Sequence, residues 1–323
     1  MKEVSVGPND VGLRIDKFLS KAVPSLPKSL LYKYIRLGRV KIENKKVTIS
    51  RRLKLGESLQ LYINDEFFEE KQNNFLAAPT AVSILYEDQD LLLADKQVGL
   101  VVHEDESGTT DTLIGRIQHL LYNRGEYNPA QEQSFAPALC NRIDRNTGGI
   151  VLAAKNAPAL RFLDEKIKNR EIKKHYLCLV HGHLKEKKNT LTFFLIKNES
   201  EKKVRVYEHP VPQGLKAITK YQVLDENKNL SLLEVELITG RTHQIRASLA
   251  YIGHPLLGDG KYGSNALNKP YNLRHQALYA YSITFAFMET GPLSPTLSER
   301  TFTVPNIWFA KNKKIFLKNK KIR

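Results

Sequence analysis

Residues 175–237 carry four closely spaced apolar runs: HYLCLV at 175–180, TLTFFLI at 190–196, ITKYQVL at 218–224 and LSLLEVEL at 230–237. Mostly turn-forming or charged residues separate them, as expected of consecutive strands. Upstream, ILYEDQDLLLADK at 84–96 and GLVVHED at 99–105 read as two further apolar strands around a polar turn. Few helical patterns interrupt these runs, the candidates being Thr112 to Tyr122, Ala157 to Lys168 and Thr242 to Tyr251. Residues 81–310 are therefore expected to form an α+β domain on a mixed, largely antiparallel sheet, without regular βαβ alternation.

The first 64 residues read differently. Ile15, Phe18, Leu19 and Val23 have helical spacing until Pro24 and Pro27 break the run. Leu30, Leu31, Tyr34 and Ile35 repeat the pattern, with Lys28, Lys33 and Arg36 on the other positions and Gly38 placed to end the helix. Arg39 to Ile42 then alternates, Glu43 to Lys46 is turn-like, and Leu59, Leu61 and Ile63 alternate again, giving a small α/β module. DEFFEE, KQNN and AAPT at 65–80 switch from acidic to small and polar, which suggests a linker, and residues 311–323 form a densely basic tail.

The chain's 323 residues suit two domains. Fifty Lys and Arg against 34 Asp and Glu give a formal charge of +16, which favours a polyanionic partner and makes nucleic acid the leading one. Two cysteines, Cys140 and Cys178, allow neither a disulfide framework nor a four-cysteine metal site. The opening MKEVSVGPND lacks the apolar run of a signal peptide, and no stretch approaches 18 apolar residues. A cytoplasmic monomer without membrane attachment is expected.

Three segments carry candidate chemistry. NRIDRNTGGIVLAAKN at 141–156 sets Asp144 between Arg142 and Arg145, just before a small-residue turn and an apolar strand. Flanking cations suit a carboxylate that acts as nucleophile or base, although an aspartate in a charged turn is more often a cap or a surface ion pair. LITGRTHQIRASLAYIGHPLLGDGKYG at 237–263 places Arg241 and Arg246 near a helix start, where an arginine can reach a buried carboxylate. IKKHYLCLVHGH at 172–183 puts Tyr176 at the start of an apolar strand, where it can stack on a base and offer a titratable oxygen, or simply pack.

Together the three segments resemble the RluA family of RNA pseudouridine synthases, whose core reads roughly HRLDxxTSG, a lysine-rich segment ending in Tyr, and GRTHQIR followed by GHP and GD. Here these are NRIDRNTGG, KKHY and GRTHQIR with GHP and GD, between about Ser83 and Pro305. The resemblance implies Asp144 as the catalytic aspartate, Tyr176 against the target base and Arg246 as the charged partner. It also implies a role for Arg142 in holding flipped RNA, and Ile245 as a pocket wall; Arg241 is a further substrate-binding candidate. Neither cofactor nor metal is implied. Three positions depart from the family: Asn141 for His, Gly148 for Ser, and Lys96-Gln97-Val98-Gly99 for KPxG.

Residues 12–64 resemble an S4 RNA-binding domain, which implies phosphate contacts by Lys28, Lys33, Arg36, Arg39 and Lys41. Members of the family with an S4 domain often modify large-subunit (23S) ribosomal RNA. That RNA, or an assembling large ribosomal subunit, is the expected partner. A transfer-RNA synthase and a noncatalytic S4-type ribosome-assembly protein are the competing readings. His181 and His183 form an HGH without a third ligand pattern, so zinc is not expected. His243 and His254 are read as structural, and glycines 148, 149, 258, 260 and 263 as turn residues.

Overall fold

The computed structural model describes residues 1–68, 73–105, 108–289, 291 and 293–310. The basic tail and residues 69–72 of the expected linker lie outside them.

The N-terminal unit begins with a strand absent from the sequence reading, β1 (Lys2–Ser5), followed by α1 (Ile15–Ala22) and α2 (Lys28–Arg36). Strands β2 (Val40–Ile42), β3 (Lys45–Lys46) and β4 (Ser58–Leu61) complete a four-stranded sheet in the order β1-β4-β2-β3. The helices form where apolar side chains recur at helical spacing: Ile15, Phe18 and Leu19 on α1, and Leu31, Tyr34 and Ile35 on α2, are all buried in the unit's own core. Past α2, Gly38 takes a φ of 72° that a side chain resists. The β2–β3 turn puts both Glu43 (φ 48°) and Asn44 (φ 63°) in the left-handed region, as tight two-residue hairpins require.

The larger unit contains β5 (Ile84–Glu87), β6 (Leu91–Lys96), α3 (Leu113–Asn123), β7 (Ala138–Leu139), β8 (Gly148–Ala154) and α4 (Ala157–Lys168). It continues with β9 (Ile172–His181), β10 (Lys188–Asn198), β11 (Lys203–Tyr207), β12 (Leu215–Glu226), β13 (Leu230–Leu237) and α5 (Gln244–Tyr251). Short α6 (Asn265–Asn268), β14 (Leu278–Phe285), short α7 (Ser294–Leu297) and β15 (Thr301–Thr303) follow. The strands make one 11-stranded sheet with the path β11-β10-β12-β13-β9-β14-β8-β6-β5; β15 adds to β14 and β7 to β8. Among the described strands, β14 and β8 alone pair in parallel.

Alternation along β9 divides the core. Tyr176, Cys178 and Val180 face one cluster with α3 and α5, whereas Leu177 and Leu179 face another with α4 and the segment after β14. Active-site candidates gather on the first face.

Four sequence expectations are corrected. GLVVHED forms no strand: the Val101 and Val102 carbonyls accept from Leu113 and Ile114 (2.8 and 3.2 Å), so they serve the free N–H groups at the start of α3. Gly148 and Gly149 lie inside β8, not in a turn. Gly149 has φ 116°, and a Cβ there would sit 2.2 Å from the Ala280 carbonyl oxygen, so glycine is what lets β8 and β14 meet. β9 begins four residues before Tyr176, because Ile172 already pairs with Phe285. Finally, α5 starts at Gln244, since His243 is left-handed.

Candidate active site

Register brings the three catalytic candidates together. Tyr176 on β9 lies opposite Ala280 on β14, and Ala280 lies opposite Gly149 on β8. The loop carrying Asp144 leads directly into β8, so Asp144 is delivered two strands from Tyr176. From the face above, α5 supplies Ile245 and Arg246, both buried.

Arg246 connects two carboxylates. Its Nε and Nη2 donate to Asp259 Oδ2 and Oδ1 at 2.8 and 3.0 Å, and its Nη1 donates to Asp144 Oδ2 at 2.8 Å. Asp259 is fully buried and also accepts from the Lys261 and Tyr262 backbone N–H groups. Burial works against the Arg246 charge, but Asp259 and Asp144 outweigh it and hold the guanidinium above its ordinary value. Burial likewise pushes Asp259 up, and its bonds from Arg246 and the backbone prevail, leaving it below the carboxylate range. The fork geometry therefore fixes the arginine on Asp259 and leaves Nη1 to orient Asp144. Asp259 was visible in the sequence only as the aspartate of GD; its partner is a tertiary fact.

The cations flanking Asp144 in sequence do not pair with it. Arg145 donates to Asp105 at 2.6 Å, and Arg142 is exposed. Successive loop residues point different ways, and the counter-ion comes from α5. Beneath the loop, buried Lys96 donates to the Gln97, Leu100 and Arg145 carbonyls at 2.9, 2.6 and 3.0 Å. Burial lowers this lysine to about 8 against the pull of Asp144 and Asp95. Asp144 thus sits on a loop whose backbone is tied from below.

Tyr176 is buried in the cluster that holds Ile245 and Ile143. Burial and then the charge of Asp144 raise its phenol well above the ordinary value, so its oxygen stays protonated and the side chain uncharged. Ile245 is 4% exposed within the same cluster. Arg241 is exposed, with Nε bonded to the Lys216 carbonyl at 3.2 Å.

The histidine read as structural stands at the site: His243 Nε2 lies 3.9 Å from Asp144 Oδ2, and its Nδ1 lies 2.8 Å from the Tyr262 hydroxyl. Neither side chain was legible as part of the site, because nothing in local sequence pairs them. His181 Nε2 meets Asn268 Oδ1 at 2.9 Å and His254 Nδ1 meets the His181 carbonyl at 2.9 Å, tying the end of α6 and the loop after α5 to β9.

Two departures from the family pattern have local reasons. Asn141 Oδ1 accepts from the Leu152 N–H at 2.8 Å. A Cβ at Gly148 would lie 2.4 Å from the Tyr279 ring, whose hydroxyl donates to Asp95 at 2.6 Å. The Tyr279 ring occupies the space of the missing side chain.

In the N-terminal unit Lys28, Lys33 and Arg36 are exposed along α2. Arg39 lies over the Tyr34 ring at 4.7 Å and Lys41 over the Tyr62 ring at 5.1 Å. The five cations come from one stretch of chain, α2 and the following β2, far in sequence from Asp144.

A family model described as RNA pseudouridylate synthase matches residues 90–251, and an S4 domain model matches residues 13–59. An uncharacterized RNA pseudouridine synthase of Mycoplasma genitalium is 32% identical over 285 residues, covering 86% of this chain and 87% of its own. Ribosomal large subunit pseudouridine synthase C of Haemophilus influenzae is 31% identical over 303 residues, covering 90% and 89%. Among solved structures, human RNA Pseudouridylate Synthase Domain Containing 4 aligns at a TM-score of 0.56 and 20% identity, covering 73% of this chain and 93% of that one, a likeness of fold.

Proposed function

Because the chain belongs to the RNA pseudouridylate synthase family, we propose that it isomerises uridine in large-subunit ribosomal RNA, with Asp144 as the reacting carboxylate. The observation that carries this reading is the Asp259–Arg246–Asp144 relay, with Tyr176 buried close enough for the charge of Asp144 to act on its phenol. Isomerisation breaks the N1–C1′ bond, turns the uracil, joins C5 to C1′, and moves the C5 proton away while N1 gains one. No electrons are exchanged with a partner. Asp144 acts at the ribose, by attack on C1′ or removal of the C2′ proton. Arg246 holds Oδ2, and among the described residues no hydrogen-bond donor reaches Oδ1, which is left for the sugar. Tyr176 supports the detached base as a flat neutral surface, and Ile245 walls the same pocket. Arg142, exposed beside the loop, fills the gap left by extrusion, whose cost is about a few kcal/mol. Arg241 adds substrate contact from the start of the segment that carries Arg246.

The ribosomal target follows from the relatives named as large-subunit synthases and from the basic α2–β2 stretch, suited to phosphates. Lys28, Lys33, Arg36, Arg39 and Lys41 position the RNA there, in an enzyme that works as a cytoplasmic monomer. Asp144→Asn is expected to retain RNA affinity and lose more than about 10³-fold in rate. Pseudouridine mapping on RNA from cells with and without the gene, complemented by this variant, tests both parts. Full modification by the variant refutes the role of Asp144; sites confined to transfer RNA refute the ribosomal target.

A further inference from the structure

His243 precedes α5 with φ 51° and ψ 21°, a conformation uncommon for a residue bearing a Cβ. It makes no side-chain capping bond to the helix, so capping does not account for the strained placement. What the ring does instead is reach two groups of the site. Its Nδ1 meets the Tyr262 hydroxyl at 2.8 Å and its Nε2 faces Asp144 Oδ2 at 3.9 Å. The Tyr262 oxygen already accepts the Val204 N–H at 2.8 Å, and the Tyr262 ring lies over the Arg246 guanidinium at 5.3 Å.

These contacts favour one tautomer. Among the described residues Nδ1 is the one acceptor within reach of the Tyr262 hydroxyl proton, while the Tyr262 oxygen accepts the Val204 N–H; Tyr262 donating to Nδ1 leaves the imidazole proton on Nε2, facing Asp144. Burial lowers His243 from its usual value, Arg246 and Lys261 lower it further, and Asp144 and Asp259 oppose them without reversing the direction. The ring is neutral, with one donor on the carboxylate side.

We propose that His243 is a positioning residue for the reaction: held in one tautomer by Tyr262, it presents Nε2–H to the same Asp144 oxygen that Arg246 holds, keeping Oδ1 turned toward the ribose. The inference rests on the reading of Asp144 as the reacting carboxylate. The 3.9 Å separation is about 1 Å longer than a hydrogen bond. It closes when substrate draws the carboxylate in, as contacts of this kind tighten in the bound complex.

Two substitutions separate this role from a purely structural one. Asparagine tolerates left-handed backbone and places its amide where Nδ1 sits, within reach of Tyr262, but has nothing at the Nε2 position. Glutamine places an amide N–H where Nε2 sits and tolerates the backbone less well. A backbone or Tyr262-anchoring role therefore predicts that Asn is the better replacement; the proposed role predicts Gln.

Full-length wild type, His243→Asn, His243→Gln and Asp144→Asn are compared in single-turnover pseudouridine formation on total RNA from cells lacking the gene, alongside RNA affinity and melting temperature. His243→Asn is expected to lose about 10- to 100-fold in rate at unchanged affinity and melting temperature, with His243→Gln recovering to within about 5-fold of wild type. An Asn variant as fast as wild type, or a Gln variant slower than Asn, overturns the proposal while an inactive Asp144→Asn leaves the reading of Asp144 intact. An active Asp144→Asn overturns both.

Discussion

At the scale of single residues, the site depends on charges removed from water and tied to fixed partners. Lys96 is the clearest case, 1% exposed and serving three backbone carbonyls below the Asp144 loop. In the fold it releases its proton near the value of about 8 to which burial lowers it, and in the unfolded chain only near about 10.4. Between these values the unfolded chain binds more protons, so the contribution of this group to stability rises with pH: burying the charge costs most below the folded value and the cost is relieved above it. Activity moves oppositely, because deprotonation removes a cation near Asp144 and a donor from the loop. The single-turnover rate is expected to fall above about pH 8, and Lys96→Met to be slow throughout and lack that limb. A wild-type profile flat to about pH 9.5 would contradict this assignment. The lysine and its neighbours were readable as a variant of KPxG; that its ammonium lies under the Asp144 loop was not, since the Arg145 carbonyl it serves lies 49 residues away in sequence.

At the scale of elements, sequence reading worked where side-chain period and end signals agreed. α4 spans the expected Ala157–Lys168 because Asn156 caps it through Ala159 N–H, and β13 matches its apolar run from Leu230 to Leu237. It failed where backbone partners are distant. The four residues of β1 are a strand because they pair with β4, from Ser5 with Ser58 to Lys2 with Leu61, and the GLVVHED backbone is engaged by a helix start. Central β14 also went unnamed in the sequence, yet its pairings carry Tyr176 and Gly149 into register. α2, in contrast, was fully legible in its two faces, one buried and one basic. Replacing Lys28, Lys33 and Arg36 together with alanine leaves the buried face untouched. The slope of log affinity against log salt is expected to shallow by about 2 to 3, at about 0.7 to 0.9 per lost phosphate contact. An unchanged slope in a filter-binding titration removes the phosphate-binding role from α2.

At the scale of the whole molecule, the two units keep separate apolar interiors, the N-terminal cluster sharing no residue with the two on either face of the large sheet. Among the described residues, polar contacts join them: Asn9 accepts from the first N–H of α4 at 2.8 Å and donates to Glu132 at 2.7 Å, and Asp10 accepts from Ser134. Phe67 and Phe68 pack on the small core, whereas Phe75 meets the His119, Tyr122 and Tyr127 rings beside α3. The connecting segment therefore divides its apolar side chains between the two units. Such a joint transmits orientation but little cooperativity, and heat should take the molecule apart in stages. Scanning calorimetry is expected to resolve a minor endotherm of about 40 kcal/mol for the first 60 or so residues, at about 0.7 kcal/mol per residue, beside a larger one for the rest. Asn9→Ala should move only the minor peak to lower temperature, and one endotherm carrying the enthalpy of the entire chain would show the joint to be stronger than its few hydrogen bonds. Bound RNA, by spanning both units, would then draw the two peaks together, making the separation between them a gauge of whether a given RNA engages both units or only one.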